Sequence, residues 1–133
     1  MVLALQQQYP LCPLRVIPGV TAISAAAAAG AWPLALQQDQ LLVMPCPDHH
    51  EDLIAALGDA ARQERVLALL KLGRRWSWVR PLLEQQGLLK HTLFAERVGW
   101  ADQRVCRADL LPAGQRPYFS LLLIRQTWPK VMP

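Results

Sequence analysis

Residues 16–29 read VIPGVTAISAAAAA, and this stretch decides how the first part of the chain folds. A short apolar run with β-branched residues at 14–17 is followed by Pro18-Gly19, a pattern that predicts a strand ending in a tight turn. Thr21 is a typical N-cap, and the alanine-rich run behind it has a high helix propensity. We therefore predict a strand at 14–17 and a helix at 21–29.

The rest of the chain alternates between two apolar patterns. Continuous apolar runs predict buried strands, whereas apolar residues three or four positions apart predict helices. This alternation predicts an α/β fold, with a mixed sheet flanked by helices. The predicted strands cover 40–46, 65–72, 90–98, 104–110 and 118–126, and the further predicted helices cover 2–8, 49–63 and 76–86.

Single residues indicate where these predicted helices begin, end or bend. Gly30 suits the position just after helix 21–29. Asp48 is the predicted N-cap of helix 49–63, and Glu51 completes a spacing like that of a capping box. Pro81 either bends helix 76–86 or marks its real first turn.

The composition is that of one globular domain. Of 133 residues, 53% are hydrophobic and 18% are charged, which disfavours a disordered chain. The net charge of +4, with no dense basic run, is too weak to predict nucleic-acid binding. The three cysteines are odd in number and far apart, so we expect no disulfide framework and a cytoplasmic location. Neither a signal peptide nor a membrane-spanning apolar run is recognisable.

The turn at Pro18-Gly19 has two interpretations. Glycine lets a ligand approach the backbone, and the helix start offers free N–H groups, a partial positive charge and the Thr21 hydroxyl. A carboxylate or a ribose hydroxyl would fit there. An ordinary strand-to-helix turn capped by Thr21 explains the same residues, and physical reasoning alone favours this simpler interpretation.

Four segments, in order, resemble the tetrapyrrole methylases, which methylate uroporphyrinogen, precorrins and related macrocycles. PGVTAISAAAA at 18–28 is similar to the PGIT/PGVT-S/A-x-S-A-A segment of that family. LLKLGRR at 69–75, FAERVGWADQRV at 94–105 and PYFSLLLI at 117–124 resemble segments of the members that methylate precorrin-2 at C(20). The resemblance implies the carboxy-terminal part of such an enzyme, with S-adenosylmethionine as methyl donor and a role in cobalamin biosynthesis.

The resemblance also implies site residues. Because the substrates of the family carry many carboxylate arms, it implies that Arg74 contacts substrate, with Arg75, Arg97 and Arg104 as weaker candidates. It implies no dedicated catalytic residue, because the cofactor supplies the reactivity and the protein aligns the reactants. The implied cofactor contacts are Thr21, Ala22, Lys71, Leu72, Val98, Gly99, Pro117 and Tyr118. Ordinary strand ends and turns explain these residues equally simply.

One departure from the family bears on domain organisation. The amino-terminal domain of the family carries a GxGPGDP-like loop and a later G-D-P segment, whereas Gly19 is the first glycine here. We therefore expect 1–37 to be the last strand and helix of a missing amino-terminal domain with a linker. Residues 38–127 would form the carboxy-terminal methylase domain, and 128–133 a tail.

Two functions follow from this organisation. One is methyl transfer to a tetrapyrrole carbon, closest to C(20) of precorrin-2, by an enzyme expected to be a homodimer at full length. The other is a non-catalytic or split-enzyme fragment that folds or dimerises but needs an amino-terminal partner to bind cofactor. A nucleic-acid or membrane partner is expected in neither case.

Two further groups of residues are expected to be structural. Cys46, His49 and His50, with Asp48 and Asp52, have the residue types of a metal site. The adjacent histidines would point about 100° apart on a helix, so we expect no metal there. Cys12 and Cys106 have no histidine or acid at a spacing that would indicate a catalytic partner. We therefore expect them to be packing residues rather than nucleophiles.

Overall fold

A computed structural model describes residues 1–128, and a five-stranded mixed sheet forms its centre. The strands lie in the order β1-β2-β5-β3-β4. β1 and β2 are parallel, and the other neighbouring pairs are antiparallel, which confirms the predicted mixed sheet. The strands are β1 (Gln40–Pro45), β2 (Arg65–Leu70), β3 (Thr92–Glu96), β4 (Arg104–Arg107) and β5 (Ser120–Ile124). Of the predicted tail, residues 129–133 lie outside the described part.

All four predicted helices form. They are α1 (Val2–Gln8), α2 (Ala22–Ala29), α3 (His50–Arg62) and α4 (Trp76–Gln85). Pro81 lies inside α4 and not in its first turn. In residues 1–128, none of these helices has both the length and the apolar character that crossing a membrane requires.

Helices α3 and α4 cover one face of the sheet. Leu53 and Leu57 of α3 and Val79 of α4 share one apolar core with alternate residues of the central strands. The Trp76 ring lies 5.3 Å from the Phe94 ring, and its Nε1 donates to the Pro112 carbonyl at 2.9 Å. This layer therefore also fixes the loop that precedes β5.

Helix α2 covers part of the opposite face. Ala26 and Ala27 pack there with Leu93, Ala95 and Leu123 of the sheet. Small side chains allow the helix backbone to approach the strands closely. Helix α2 therefore packs directly on the sheet of the segment 38–127, while the proposed domain division at residue 37 stays a prediction.

The predicted strand at 14–17 is wrong. The segment forms no strand within residues 1–128, and Val16 and Ile17 are 70% and 77% exposed. A strand is stable only when a neighbour supplies hydrogen-bond partners and one face is covered. In the described part of the chain, the five-stranded sheet ends at β1 and β4 and does not include this segment.

The predicted cap of helix α3 is also wrong. His49, not Asp48, is the N-cap, and it makes no side-chain capping bond. The Asp48 carboxylate instead accepts hydrogen bonds from Arg75, at 2.9 Å from its Nε. A charged partner binds this carboxylate more strongly than a backbone N–H would.

Backbone conformation explains why three predicted strands end earlier than expected. Lys71 and Arg97 adopt positive φ values of 57° and 50°, which end β2 and β3. A single turn of 3-10 helix at Ala108–Leu110 ends the pairing of β4. Apolar residues resume directly after two of these breaks, at Leu72 and Val98, so the apolar pattern extends past the ends of the strands.

Candidate functional site

The loops that follow β2 and β3 and the loop that precedes β5 meet at one end of the sheet. β5 lies between β2 and β3 and is antiparallel to both, so β2 and β3 run in the same direction. The carboxyl ends of β2 and β3 therefore meet the amino end of β5 at the same edge. In open α/β sheets, ligands bind in the crevice outside the carboxyl ends of the strands.

A cleft of about 340 Å³ opens at this edge. Its wall is mostly apolar, and the first residue of helix α2 contributes to it. The lining residues are Ala22, Leu70, Lys71, Ala95, Arg97, Val98, Trp100, Tyr118, Phe119, Ser120 and Leu121. Segments far apart in sequence thus form one concave surface of the kind that binds small molecules.

The backbone of the cleft is held in place by hydrogen bonds between strand ends. The Arg97 N–H donates to the Phe119 carbonyl at 2.9 Å, and the Leu72 N–H donates to the Ser120 carbonyl at 3.0 Å. Lys71 and Arg97, the residues with positive φ, lie directly beside these bonds. Such conformations are costly for residues with a side chain and often mark functional sites.

Ser120 joins three segments beneath the cleft. Its buried hydroxyl accepts from the Gly73 N–H at 3.0 Å and donates to the Pro117 carbonyl at 2.6 Å. Gly73 has a φ of 52°, and a Cβ there would meet Tyr118 Cα at 3.6 Å. The end of β2 is therefore fixed against the loop that leads into β5.

Exposed aromatic rings border the cleft. Trp100 and Phe119 are 57% and 63% exposed, and their rings lie 5.9 Å apart. Tyr118 lies next to them, with its ring 5.5 Å from that of Phe119. Contiguous exposed aromatic surface usually marks a binding site, and a flat heterocycle could stack on these rings.

Four of the eight predicted cofactor residues line this cleft: Ala22, Lys71, Val98 and Tyr118. The structure thus brings together residues from four different segments of the sequence. Their proximity agrees with a shared role, while their contact with a cofactor stays a prediction. Thr21 lies directly beside this group as the N-cap of α2.

The other predicted cofactor residues have local roles in the fold. The Thr21 hydroxyl accepts from the Ser24 N–H at 3.3 Å, as the simpler interpretation expects. Leu72 is fully buried, and the Pro117 carbonyl accepts a hydrogen bond from the Ser120 hydroxyl. Gly99 has a φ of 89°, and its N–H donates to Gln103. None of these four lines the cleft.

The sequence reasoning missed several lining residues. Neither Trp100 nor Phe119 was among the predicted site residues, although both lie inside segments that resemble the family. Ser120 and Leu121 follow Phe119 directly in β5. The sequence does contain one signal for these residues, the aromatic pair Tyr118-Phe119 at the start of a predicted strand. Adjacent aromatic side chains at a strand end can form an exposed apolar surface, which often marks a binding site.

The predicted substrate residue Arg74 lies in an adjacent pocket of about 360 Å³. This basic pocket shares two residues with the cleft, Lys71 and Tyr118. Its lining residues are Lys71, Gly73, Arg74, Arg75, Arg116 and Tyr118. The lining therefore contains four cationic side chains and no carboxylate. Arg97 lines the cleft instead and pairs with Asp102.

The residues considered for metal binding are separated by their contacts. Burial raises the pKa of the Cys46 thiol to about 11, although Arg75 opposes this effect, so the thiol stays protonated at neutral pH. The His50 ring packs against Trp78 at 4.3 Å. The Arg75 hydrogen bond lowers the pKa of Asp48. In residues 1–128, no three His, Cys, Asp or Glu side chains converge as a metal site requires.

The other two cysteines differ in environment. Burial raises the pKa of the Cys106 thiol, which Arg104 and Arg116 partly oppose. A raised pKa lowers the thiolate fraction and therefore the reactivity of the sulfur. Cys12 is exposed, in the segment before α2.

The fold and the cleft define an α/β domain with a mostly apolar cleft at the carboxyl ends of β2 and β3. The profile of the Tetrapyrrole (Corrin/Porphyrin) Methylases matches residues 1–111. The chain therefore belongs to the tetrapyrrole methylase family, as the four segments predicted.

Two curated relatives come from cobalamin biosynthesis. The cobalamin biosynthesis protein CobIJ of Mycobacterium tuberculosis is 38% identical over 109 residues, which are 82% of this chain and 21% of that protein. The cobalt-precorrin-2 C(20)-methyltransferase of Salmonella typhimurium is 31% identical over 121 residues, 88% of this chain and 49% of the relative. The chain thus spans half or less of the length of either relative.

The fold is also similar to a solved structure. The crystal structure of the methyltransferase CobJ superposes with a TM-score of 0.63 at 22% sequence identity, covering 99% of this chain and 60% of that one. At this identity the likeness concerns the fold alone. It confirms the predicted methylase-like α/β architecture.

Proposed function

We propose that this chain forms one wall of the active site of an S-adenosylmethionine-dependent methyltransferase that acts on a tetrapyrrole carbon. The observation that carries the proposal is the cleft at the carboxyl edge of the sheet. Residues singled out by resemblance in four separate segments, Ala22, Lys71, Val98 and Tyr118, line that one cleft. Membership in the tetrapyrrole methylases supports the same function.

The chemistry of the cleft suits this cofactor. The side chains of Leu70, Ala95 and Val98 offer apolar surface, and Trp100 and Phe119 offer aromatic rings at the border, which suits an adenine ring. The strand-end backbone at Lys71 and Arg97 is held by hydrogen bonds and lies against the cleft, so it keeps the shape of this wall fixed. S-adenosylmethionine supplies an electrophilic methyl group on a sulfonium, so the protein needs no nucleophile of its own.

The chain's own residues then position the methyl donor and shield the reacting atoms from water. The apolar wall keeps water away from the reacting atoms, and the fixed backbone holds the donor in one orientation. Arg74, in the neighbouring basic pocket, is proposed to contact a carboxylate of the macrocycle. The substrate proposed is precorrin-2, methylated at C(20), because two of the relatives are a cobalt-precorrin-2 and a precorrin-2 C(20)-methyltransferase.

Titration calorimetry with S-adenosylhomocysteine tests the cofactor site. The Ala22→Leu variant fills the cleft from the exposed start of α2, and we expect it to weaken binding at least tenfold. Ala28→Leu is the matched control, because Ala28 is exposed on the same helix and lies outside the cleft. Equal affinity of both variants and the unmodified chain would contradict this cofactor site.

The alternative function has a distinct outcome in the same experiment. If the 133 residues bind no S-adenosylhomocysteine until an amino-terminal partner is added, the chain acts as part of a split enzyme. The exposed apolar residues Val16, Ile17 and Val20 favour such a partner. The ring position is tested separately by transfer of a ¹³C-labelled methyl group to precorrin-2. A label at a carbon other than C(20) would contradict that assignment only.

A further inference from the structure

Three cations without a carboxylate partner are grouped in the basic pocket, whereas Arg15, Arg65, Lys90 and Arg104, which also lack one in residues 1–128, lie outside it. Most arginines of the described part have a carboxylate within ion-pair distance. Those pairs join Arg62 to Asp59, Arg75 to Asp48, Arg80 to Glu84, Arg97 to Asp102, Arg107 to Asp109 and Arg125 to Asp39. Within residues 1–128, Lys71, Arg74 and Arg116 have no such partner, and all three line the same pocket.

Arg116 is held in position by contacts that do not neutralise it. Its guanidinium lies over the Phe94 ring, 5.9 Å from the ring centre, and its Nη2 donates to the Pro112 carbonyl at 3.3 Å. Its Nε is buried and has no hydrogen-bond partner within residues 1–128. A half-buried cation of this kind gains from an anionic ligand, because burial without a counter-charge is costly.

The fourth cation of the pocket is excluded from this role. Arg75 already binds the Asp48 carboxylate, and its Nη1 donates to the Lys71 carbonyl at 3.1 Å. These bonds turn its guanidinium toward the protein. The uncompensated charge of the pocket is therefore that of Lys71, Arg74 and Arg116.

The position of the pocket links it to the cleft. Lys71 and Tyr118 line both, so a ligand in the basic pocket lies next to whatever occupies the cleft. The Lys71 ammonium group is exposed, whereas its backbone lies at the end of β2. The side chain can thus contact a ligand in the basic pocket while the backbone borders the cleft.

We propose that Lys71, Arg74 and Arg116 form a subsite that binds carboxylate arms of the macrocyclic substrate. This inference rests on the proposed function, because it places the substrate beside the cofactor cleft. Arg116 is the pre-positioned contact, and Arg74 and Lys71 are exposed contacts that close on the ligand. Planar guanidinium groups bind carboxylates in two parallel hydrogen bonds, which sets the orientation of the ring.

Fluorescence titration with uroporphyrin tests the subsite, because every side chain of this porphyrin ends in a carboxylate. We expect Arg116→Gln and Arg74→Gln each to weaken uroporphyrin binding about tenfold, the usual effect of losing one charge-assisted hydrogen bond. Arg65→Gln is the matched control: Arg65 has no carboxylate partner in residues 1–128 and lies at the opposite end of β2. Binding should also weaken as salt is added.

The outcomes separate this inference from the proposed function. S-adenosylhomocysteine binding, measured on the same preparations, should be unchanged in Arg74→Gln and Arg116→Gln, whose side chains do not line the cleft. Equal uroporphyrin affinity of all variants, or equally tight binding of a cationic porphyrin, would overturn the subsite. Wild-type protein that binds S-adenosylhomocysteine but no uroporphyrin would overturn the subsite alone. Wild-type protein that binds neither, alone or with an amino-terminal partner, would contradict both proposals.

Discussion

Arg125 is the one charged side chain that the described part of the chain buries almost completely, with 2% of its surface exposed. It pairs with Asp39 and donates to the carbonyl of Pro33 at 3.2 Å. Its guanidinium also lies 5.5 Å from the Trp128 ring, which packs against Trp32. The segment between α2 and β1 is thereby attached to the end of β5.

The first prediction concerns this pair. Asp39→Asn removes the counter-charge and leaves Arg125 buried, so we expect the free energy of unfolding to fall by roughly 3 kcal/mol. Asp59→Asn is the control, because its pair with Arg62 is exposed and should contribute less than about 1 kcal/mol. Urea unfolding followed by circular dichroism measures both. Equal losses in the two variants would show that Arg125 does not depend on Asp39.

The same pair should make stability depend on pH. Burial alone would raise the pKa of Asp39, but hydrogen bonds from Arg125 and the Leu36 N–H, with the Arg125 charge, lower it overall. A carboxyl with a lowered pKa in the folded state stabilises fully above its unperturbed value of 3.8, and this stabilisation is lost as pH falls through the folded pKa. Urea midpoints between pH 6 and pH 3 should therefore fall less in Asp39→Asn than in the unmodified chain.

At the scale of elements, helix α2 shows what the glycine at its end does. Gly30 is the C-cap residue with a φ of −93°, and the left-handed conformation common just after a helix falls on Ala31, whose φ is 47°. A Cβ on Gly30 would instead lie 2.7 Å from Leu93 Cδ2 and 3.2 Å from Val105 Cγ1. The glycine therefore lets the end of α2 approach β3 and β4.

A further prediction follows from that close approach. Gly30→Ala should lower the free energy of unfolding by about 1–3 kcal/mol, because buried Leu93 has little room to move. Ala31→Gly, one position further, relieves a left-handed conformation and should be neutral or stabilising. Thermal unfolding of the two variants checks the contrast. A stable Gly30→Ala and an unstable Ala31→Gly would mean that backbone conformation, not packing, selects the glycine.

At the scale of the whole molecule, the cleft exists because of strand order. The Gly73 N–H donates a hydrogen bond to the Ser120 hydroxyl although 47 positions separate the two residues, and this contact requires β5 to lie beside β2. The sheet edge therefore brings together segments 69–75, 94–105 and 117–124, each of which carries a family-like motif. Helix α2 adds the fourth segment from the opposite face.

The sequence predicted local features well where one physical signal dominated. The Thr21 cap, the alanine helix behind it and the apolar strands were readable because propensity and periodicity agree there. The 14–17 strand and the Asp48 cap were wrong. A strand needs a neighbouring strand, and Asp48 binds Arg75 instead of capping the helix; neither contact can be read from the sequence. The basic pocket was only partly foreseen, because the contact of Arg116 with Phe94 depends on how the loop before β5 folds.

The most direct test of the central claim is a map of where the cofactor product binds. Backbone amide shifts of the ¹⁵N-labelled chain, recorded during titration with S-adenosylhomocysteine, report the site residue by residue. We predict that the largest changes occur at Ala22, Val98, Phe119 and Leu121, around the cleft. Changes concentrated at the opposite edge of the sheet, near Asp39 and Gln126, or spread evenly over the chain, would contradict it.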